Sequence, residues 1–252
     1  MKGKKGISLC LYSPKGGTGK TILCSHLASV ASTLGKKVLL IDFDLYNGGL
    51  SLFIDKEINK TIFNSIDDLS NNRFSLVSDY VYKYNENIDI LCAPKDPRQG
   101  SKVDFKYIEI LLERVSNIYD LILIDTYPNL DDITISILDG TDKILFVINN
   151  DLYTLKNMKN IITIFNDNDI ENYKVLLNNS VEFKLPYFSL SEIKKLIDTN
   201  VDYTISRELF IKEISSYIFD CNMPLLYKNN YKKYKNDVNN LERIIKDALG
   251  GQ

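Results

Sequence analysis

The sequence predicts an α/β fold: one doubly wound, mostly parallel sheet flanked by helices. Three observations predict it. Short apolar runs recur along the 252-residue chain and are continuous rather than alternating, as in strands covered on both faces. Helical stripes separate them. The residues suited to chemistry fall at the C-terminal ends of these runs, where the ligand of such a sheet sits.

In chain order the runs are GISLCLY (6–12), KVLLID (37–42), IDILCA (88–93), DLILID (120–125), KILFVIN (143–149) and YKVLLN (173–178). Between them, Leu23, Leu27, Val30 and Leu34 recur at helical spacing, as do Phe105, Ile108, Leu112 and Val115. Leu152, Leu155, Met158, Ile162 and Phe165 make a third stripe. The stretch 51–87 is polar and broken and reads as a short helix within an irregular excursion. Tyr234, Val238, Leu241, Ile245 and Leu249 predict a terminal helix over 230–249, stopped by Gly250-Gly251. No linker or repeat interrupts the chain, so residues 1–252 are expected to form a single domain.

Charge is nearly balanced, with 31 basic and 33 acidic residues, so no global field draws the chain to nucleic acid or to an anionic membrane. Hydrophobic content of 44% and 25% charged residues suit a soluble globular protein. No stretch approaches the ~20 apolar residues of a membrane span. The basic start followed by a brief apolar run is too short for a signal peptide. Cys10, Cys24, Cys92 and Cys221 lack CxxC spacing and there is one histidine, His26, so a zinc or iron–sulfur site is not expected. The cysteines read as reduced thiols of a cytoplasmic protein, and His26 as structural.

The stretch SPKGGTGKT (13–21) follows an apolar run and opens a helical stripe. Its second half matches G-x-x-x-x-G-K-[ST], with Lys15 where that pattern has its first glycine. Gly16, Gly17 and Gly19 permit close backbone approach to a phosphate, and backbone N–H groups from Gly16 through Thr18 to Thr21, beside Ile22, would cradle it at a helix N-terminus. Lys20 would neutralise phosphate oxygens, and the Thr21 hydroxyl would sit on Mg²⁺. Asp42 ends LLID with Asp44 just beyond, and Asp125 ends LILID. Asp42 and Asp125 are candidates for the metal, and Asp44 for orienting an attacking water. A lone aspartate at a strand end is commonly a cap; here two strand-end aspartates stand with a phosphate loop.

KGGTGKT, with a lysine directly before the double glycine, resembles the deviant Walker A motif of the MinD/ParA family of P-loop ATPases. DFDLYNGGLSLF (42–53) is similar to that family's first switch, and YDLILIDTYPNLDD (119–132) to its Walker B and second switch. IDILCAPKDPRQG (88–100) and CNMPLL (221–226) resemble the pilus-assembly branch, the CpaE/TadZ-like ATPases. Together these resemblances span residues 6 to 245. They imply ATP or ADP and Mg²⁺ as cofactors, slow Mg-dependent hydrolysis of ATP to ADP and phosphate, and Asn178 of LNN as an adenine contact. They also imply an ATP-dependent homodimer in which the signature lysine, Lys15, reaches the partner's phosphates, acting with Lys20 and Asp44 in catalysis. The implied role is assembly or localisation of a partner complex in a pilus, partition or division system, with membrane or polar recruitment through that partner.

The chain departs from the family in several places. Many CpaE/TadZ proteins carry a receiver-like N-terminal domain, which is not expected here. Tyr127-Pro128-Asn129 stands where MinD has Pro-Ala-Gly, and ISRE (205–208) where relatives have a proline near the adenine. In MinD a carboxylate on the helix after the fifth run pairs with the signature lysine; the aligned residue is Asn157, so a different resting partner is expected for Lys15. MinD-type membrane docking needs an amphipathic extension, and LERIIKDALGGQ offers none after Gly250. DNA binding of the ParA type needs a basic surface; Lys228, Lys232, Lys233 and Lys235 read instead as a solvated helix face. An alternative of another class is a bacterial tyrosine autokinase, suggested by Tyr227, Tyr231 and Tyr234. An electron-transfer ATPase would need cysteines near DTYPNL, which has none.

Overall fold

The computed structural model describes residues 5–180, 188–209 and 213–251; the basic start of the chain at residues 1–4 lies outside them. In chain order the elements are β1 (Ile7–Tyr12), α1 (Lys20–Thr33), β2 (Val38–Phe43), α2 (Ile62–Ser70), β3 (Tyr82–Lys83), β4 (Ile88–Leu91), α3 (Pro97–Gly100), α4 (Ile108–Ser116) and β5 (Leu121–Thr126). They continue with α5 (Asp132–Gly140), β6 (Lys143–Ile148), α6 (Leu152–Asp167), β7 (Tyr173–Asn178), α7 (Leu190–Ile197), β8 (Tyr203–Ile205), α8 (Ile214–Phe219), α9 (Lys228–Lys233) and α10 (Lys235–Ala248).

Among the described residues eight strands form one sheet, in the order β3-β4-β2-β5-β1-β6-β7-β8. Every pairing is parallel except β3 with β4. This is the expected doubly wound sheet, and its continuous apolar runs have a direct cause. Leu9 and Leu11 of β1 face a core with α1 and α10, whereas Cys10 and Tyr12 face the opposite core. Leu121 and Leu123 of β5 divide from Ile122 and Ile124 in the same way. A strand that buries both faces cannot alternate apolar with polar residues.

Two features differ from the sequence reading, while the short helix expected within 51–87 is present. β3 and β8 were not expected; with two and three residues, and at the two sheet edges, they carry too little pattern to register. The excursion at 51–87 holds α2, whose capping box joins Thr61 and Asn64. The terminal helix expected over 230–249 is instead α10, Lys235–Ala248, separated from the short α9 by a break at Tyr234. Its apolar stripe is core, as Val238, Leu241 and Ile245 are fully buried and α10 lies against α1. No helix among the described residues is long and apolar enough to cross a membrane.

The chain's only histidine, His26, sits on α1 at 2% exposure, and its Nδ1 has no hydrogen-bond partner. Burial disfavours the imidazolium and lowers the pKa from 6.5 to about 4. The unfolded chain therefore binds a proton that the folded chain refuses between these values. The contribution of the neutral ring to stability is complete above pH 6.5 and is lost as pH falls toward about 4. A shift of this size is worth about 3 kcal/mol. Urea-unfolding free energies measured across that window should show this slope in the parent and lack it in His26→Leu, and NMR of the single imidazole should place its pKa near the lower end.

Candidate functional site

The loop Ser13–Gly19 leaves β1 at the centre of the sheet and enters α1. Gly17 (φ 75°) and Gly19 (φ 87°) lie in the left-handed region, which a side chain would strain, so these two positions need glycine for the turn itself. Gly16 does not. Its glycine has another use: a β-carbon there would meet no protein atom within 4 Å, so that side of the loop is open to a ligand.

Lys20 begins α1 and is 8% exposed. Among the described residues it forms no ion pair. Burial lowers its pKa, against the pull of nearby Asp125 and Asp44. Beside it the Thr21 hydroxyl donates to Asp125 Oδ2 at 2.5 Å. Asp125 Oδ1 is buried with no partner, as are the Ser13 and Thr18 hydroxyls. Burial outweighs the Thr21 bond and raises the Asp125 carboxyl to about 6.

These groups fit a nucleotide phosphate with Mg²⁺. A buried unpaired ammonium wants an anion, the glycine loop offers N–H groups at a helix N-terminus, and the unpartnered oxygens are hard donors of the kind Mg²⁺ takes. No group of three or more His, Cys, Asp or Glu side chains converges on an ion site among the described residues. That suits Mg²⁺, which is held by one or two protein oxygens together with phosphate.

Asp42 and Asp125 lie side by side in the β2–β5 pairing. Asp42 is fully buried, and burial together with the Asp125 charge pushes its pKa well above the usual range. Its Oδ1 accepts from Asp44 N at 3.2 Å and its Oδ2 from Leu50 N at 2.9 Å. The carboxyl thus ties down both ends of the DLYNGG turn. Asp44 is half-buried, and its Oδ1 accepts from Asn47 N at 3.1 Å. The two glycines of the turn are explained by contact. A β-carbon on Gly48 would lie 2.4 Å from Ala93 Cβ and 2.9 Å from Asp42 Oδ2, and one on Gly49 would lie 3.0 Å from Thr21 Cγ2.

Asn178, at the end of β7, is 1% exposed. Its Nδ2 donates to the Thr18 carbonyl at 2.9 Å, and its Oδ1 accepts from Ser180 N and Oγ. Asn178 thus braces the phosphate loop with one N–H of its amide and holds Ser180 with its oxygen. Asn149, missed in the sequence, supports it by donating from Nδ2 to the Asn178 carbonyl at 3.2 Å. Ile22, next to Thr21, lies half-buried on the first turn of α1. At ISRE, Ser206 is bound through N and Oγ to the buried carboxylate of Asp237.

Lys15 has the different partner that the departure at Asn157 called for. Its Nζ lies 3.0 Å from Asp151 Oδ1, with side chains 42% and 11% exposed respectively. Asp151 is the N-cap of α6 and accepts from Tyr153 N, Thr154 N and Thr154 Oγ1. Burial opposes its ionisation, but the bonds from Thr154 and Lys15 prevail and lower its pKa. Sequence reasoning missed Asp151, although an aspartate directly before the stripe beginning at Leu152 is an N-cap signature.

Of the three tyrosines near the C-terminus, Tyr234 is buried, Tyr231 half-buried and Tyr227 exposed. The Tyr231 hydroxyl donates to Glu242, and the Tyr227 ring meets Tyr217 edge-on. Cys10, Cys24 and Cys92 are buried free thiols, and Cys221 is free and half-buried.

The AAA domain family AAA_31 matches residues 6–182. The chain is similar to the sporulation initiation inhibitor protein Soj of Bacillus subtilis, 26% identical over 62% of this chain and 64% of that protein. It is also similar to a putative tyrosine-protein kinase, AmsA of Erwinia amylovora, 30% identical over 64% of this chain but only 22% of the kinase. Its fold superposes on that of the septum site-determining protein MinD from Pyrococcus horikoshii, solved with Mg-ADP, with a TM-score of 0.80, 22% identity and coverage of 96% and 97% of the two chains. Against curated ATP-binding relatives from Methanocaldococcus jannaschii the match spans 58% and 54% of their length.

Two glycine substitutions should separate packing from ligand space. Gly48→Ala forces a clash against Ala93 and Asp42 and should lose about 1–3 kcal/mol of unfolding free energy. Gly16→Ala meets no protein atom and should change stability by no more than about 0.5 kcal/mol. It should nonetheless weaken binding of a fluorescent ATP analogue, because the new methyl stands where the phosphate would lie.

Proposed function

The chain belongs to the AAA domain family AAA_31, and from that premise we propose that it is an ATP-operated molecular switch: ATP-bound copies pair, engage a partner complex, and part after slow hydrolysis. The observation that carries this reading is the pair of lysines in one loop. Lys20 is buried and unpaired, facing the place where a phosphate fits, whereas Lys15 is half-exposed and tethered to Asp151. Two lysines so close in sequence and so different in surroundings have different tasks. Lys20 holds the nucleotide of its own chain. Lys15, once released, supplies positive charge to the phosphates of a second copy, as an arginine finger does.

In this proposal the Thr21 hydroxyl and the Asp125 carboxylate would hold Mg²⁺. Bound Mg²⁺ would screen the negative charge of the phosphates. Asp42 acts on the metal side mainly by fixing the turn after β2, since backbone N–H groups already engage both its oxygens. Asp44, half-buried beyond the strand end, is placed to orient water. Among the described residues no strong general base stands by, which suits slow turnover and a switch. Sequence similarity to Soj and to a relative named as a putative septum site-determining protein favours placement of a partition or division complex over the pilus-assembly role that the motifs suggest. The tyrosine-autokinase alternative is less favoured because two of its three candidate acceptors are engaged, the Tyr231 hydroxyl by Glu242 and Tyr234 by burial, while Tyr227 is 44% exposed.

The two lysines give the test. Lys20→Ala should abolish binding of a fluorescent ATP analogue. Lys15→Ala should bind it nearly as the parent does, but should lose ATP-dependent pairing in equilibrium sedimentation and about 10²-fold in ATP turnover, the loss typical of one removed charge-stabilising donor. If Lys15→Ala pairs and hydrolyses like the parent, the reading fails.

A further inference from the structure

The turn after β2 and the turn after β5 touch through an aromatic pair that no motif accounts for. The rings of Tyr46 and Tyr127 stand edge-on, with centroids 5.7 Å apart and planes at 71°. Tyr46 is the middle of DLYNGG, whose ends are tied to Asp42 through Asp44 N and Leu50 N. Tyr127 is the second residue after Asp125 and is 5% exposed. Its hydroxyl donates to Asp131, the N-cap of α5, which also accepts from Thr134 N. The next residue, Pro128, accepts through its carbonyl from the Tyr12 hydroxyl at the end of β1 (3.3 Å).

The first turn is therefore anchored to the buried Asp42, whereas the second follows the buried Asp125 in the chain and is held by Asp131 and Tyr12. They meet at this pair of rings. Tyr46 is 39% exposed and its own hydroxyl has no protein partner among the described residues, so the contact is made by the ring face and edge. Edge-on aromatic pairs stabilise beyond the area they bury, and they lose that when one ring swings away.

We propose that Tyr46 and Tyr127 form an aromatic link that makes the turn after Asp42 and the turn after Asp125 change conformation as one unit. The nucleotide-dependent half of this proposal rests on the switch reading above. In it, contact of a phosphate or metal with either aspartate repositions both turns together, and neither tyrosine touches the nucleotide. They are positioning residues.

Hydrogen–deuterium exchange on the full chain tests this, comparing the parent with Tyr46→Ala and Tyr46→Phe, each nucleotide-free, with Mg-ADP and with Mg-AMPPNP. Binding of a fluorescent ATP analogue is measured on the same samples. In the nucleotide-free protein, Tyr46→Ala should speed exchange at 127–131 by about two- to tenfold, the size of one lost edge-on contact, and Tyr46→Phe should restore the parent rate. With AMPPNP, residues 44–50 should still respond in Tyr46→Ala while the response at 127–131 shrinks by a similar factor. Unchanged exchange at 127–131 in nucleotide-free Tyr46→Ala, or a Phe variant as impaired as Ala, overturns the link whatever the nucleotide does. A parent that binds no nucleotide overturns the switch reading instead, and the nucleotide-free comparison still decides the link.

Discussion

One largely buried charge, without an ion-pair partner among the described residues, organises the head of this sheet. Lys20 carries an ammonium into an environment that lowers its pKa, and no carboxylate among the described residues closes on it. Asp125, the nearest candidate, is bonded to Thr21. A buried cation without a counter-ion is destabilising unless something else holds it there. What holds it is the rigidity of the surroundings: β1 at the centre of the sheet, α1 packed beneath it, two left-handed glycines, and the Asn178 amide clamped on the Thr18 carbonyl. The loop is thus preorganised for an anion, and the stability it forfeits is supplied by the two apolar cores on either face of the sheet.

The two strand-end aspartates extend the same logic. Side by side on β2 and β5, fully or nearly fully buried, they repel one another and both resist ionisation. The fold tolerates the pair because backbone N–H groups answer Asp42 and the Thr21 hydroxyl answers Asp125. The same bonds shape the two turns that follow, so the electrostatics of the site and the conformation of its loops are one problem.

Much of this was legible in the sequence, and the exceptions have physical reasons. The six strands that bury both faces announced themselves as apolar runs. β3 and β8, short and at the edges, did not, and the break at Tyr234 was hidden because the apolar stripe runs through it. The phosphate loop and the aspartates at the ends of β2 and β5 were readable because glycine, lysine and carboxylate types at those places have few other uses. Asn178 was located but its bond to the Thr18 carbonyl was not foreseen, since a residue type at a strand end does not say which backbone group its amide will meet. Asp151 was missed for the converse reason. It was sought along the helix, at the position of Asn157, whereas the group that reaches Lys15 is the cap before its first turn.

That cap has a consequence for how the molecule responds to its own abundance. Asp151 would remain well solvated by protein donors after Lys15 departs, because Tyr153 N, Thr154 N and the Thr154 hydroxyl still serve it. The tether is one partly exposed ion pair, a contact worth about 0–1 kcal/mol. Such a well is comparable with thermal energy, so the lysine swings free often and returns quickly. Nothing traps the molecule in its resting form. If copies pair as proposed, the frequency of productive encounters would follow the local density of copies, and the protein would behave as a threshold device: quiet where it is dilute, and committed wherever something gathers it.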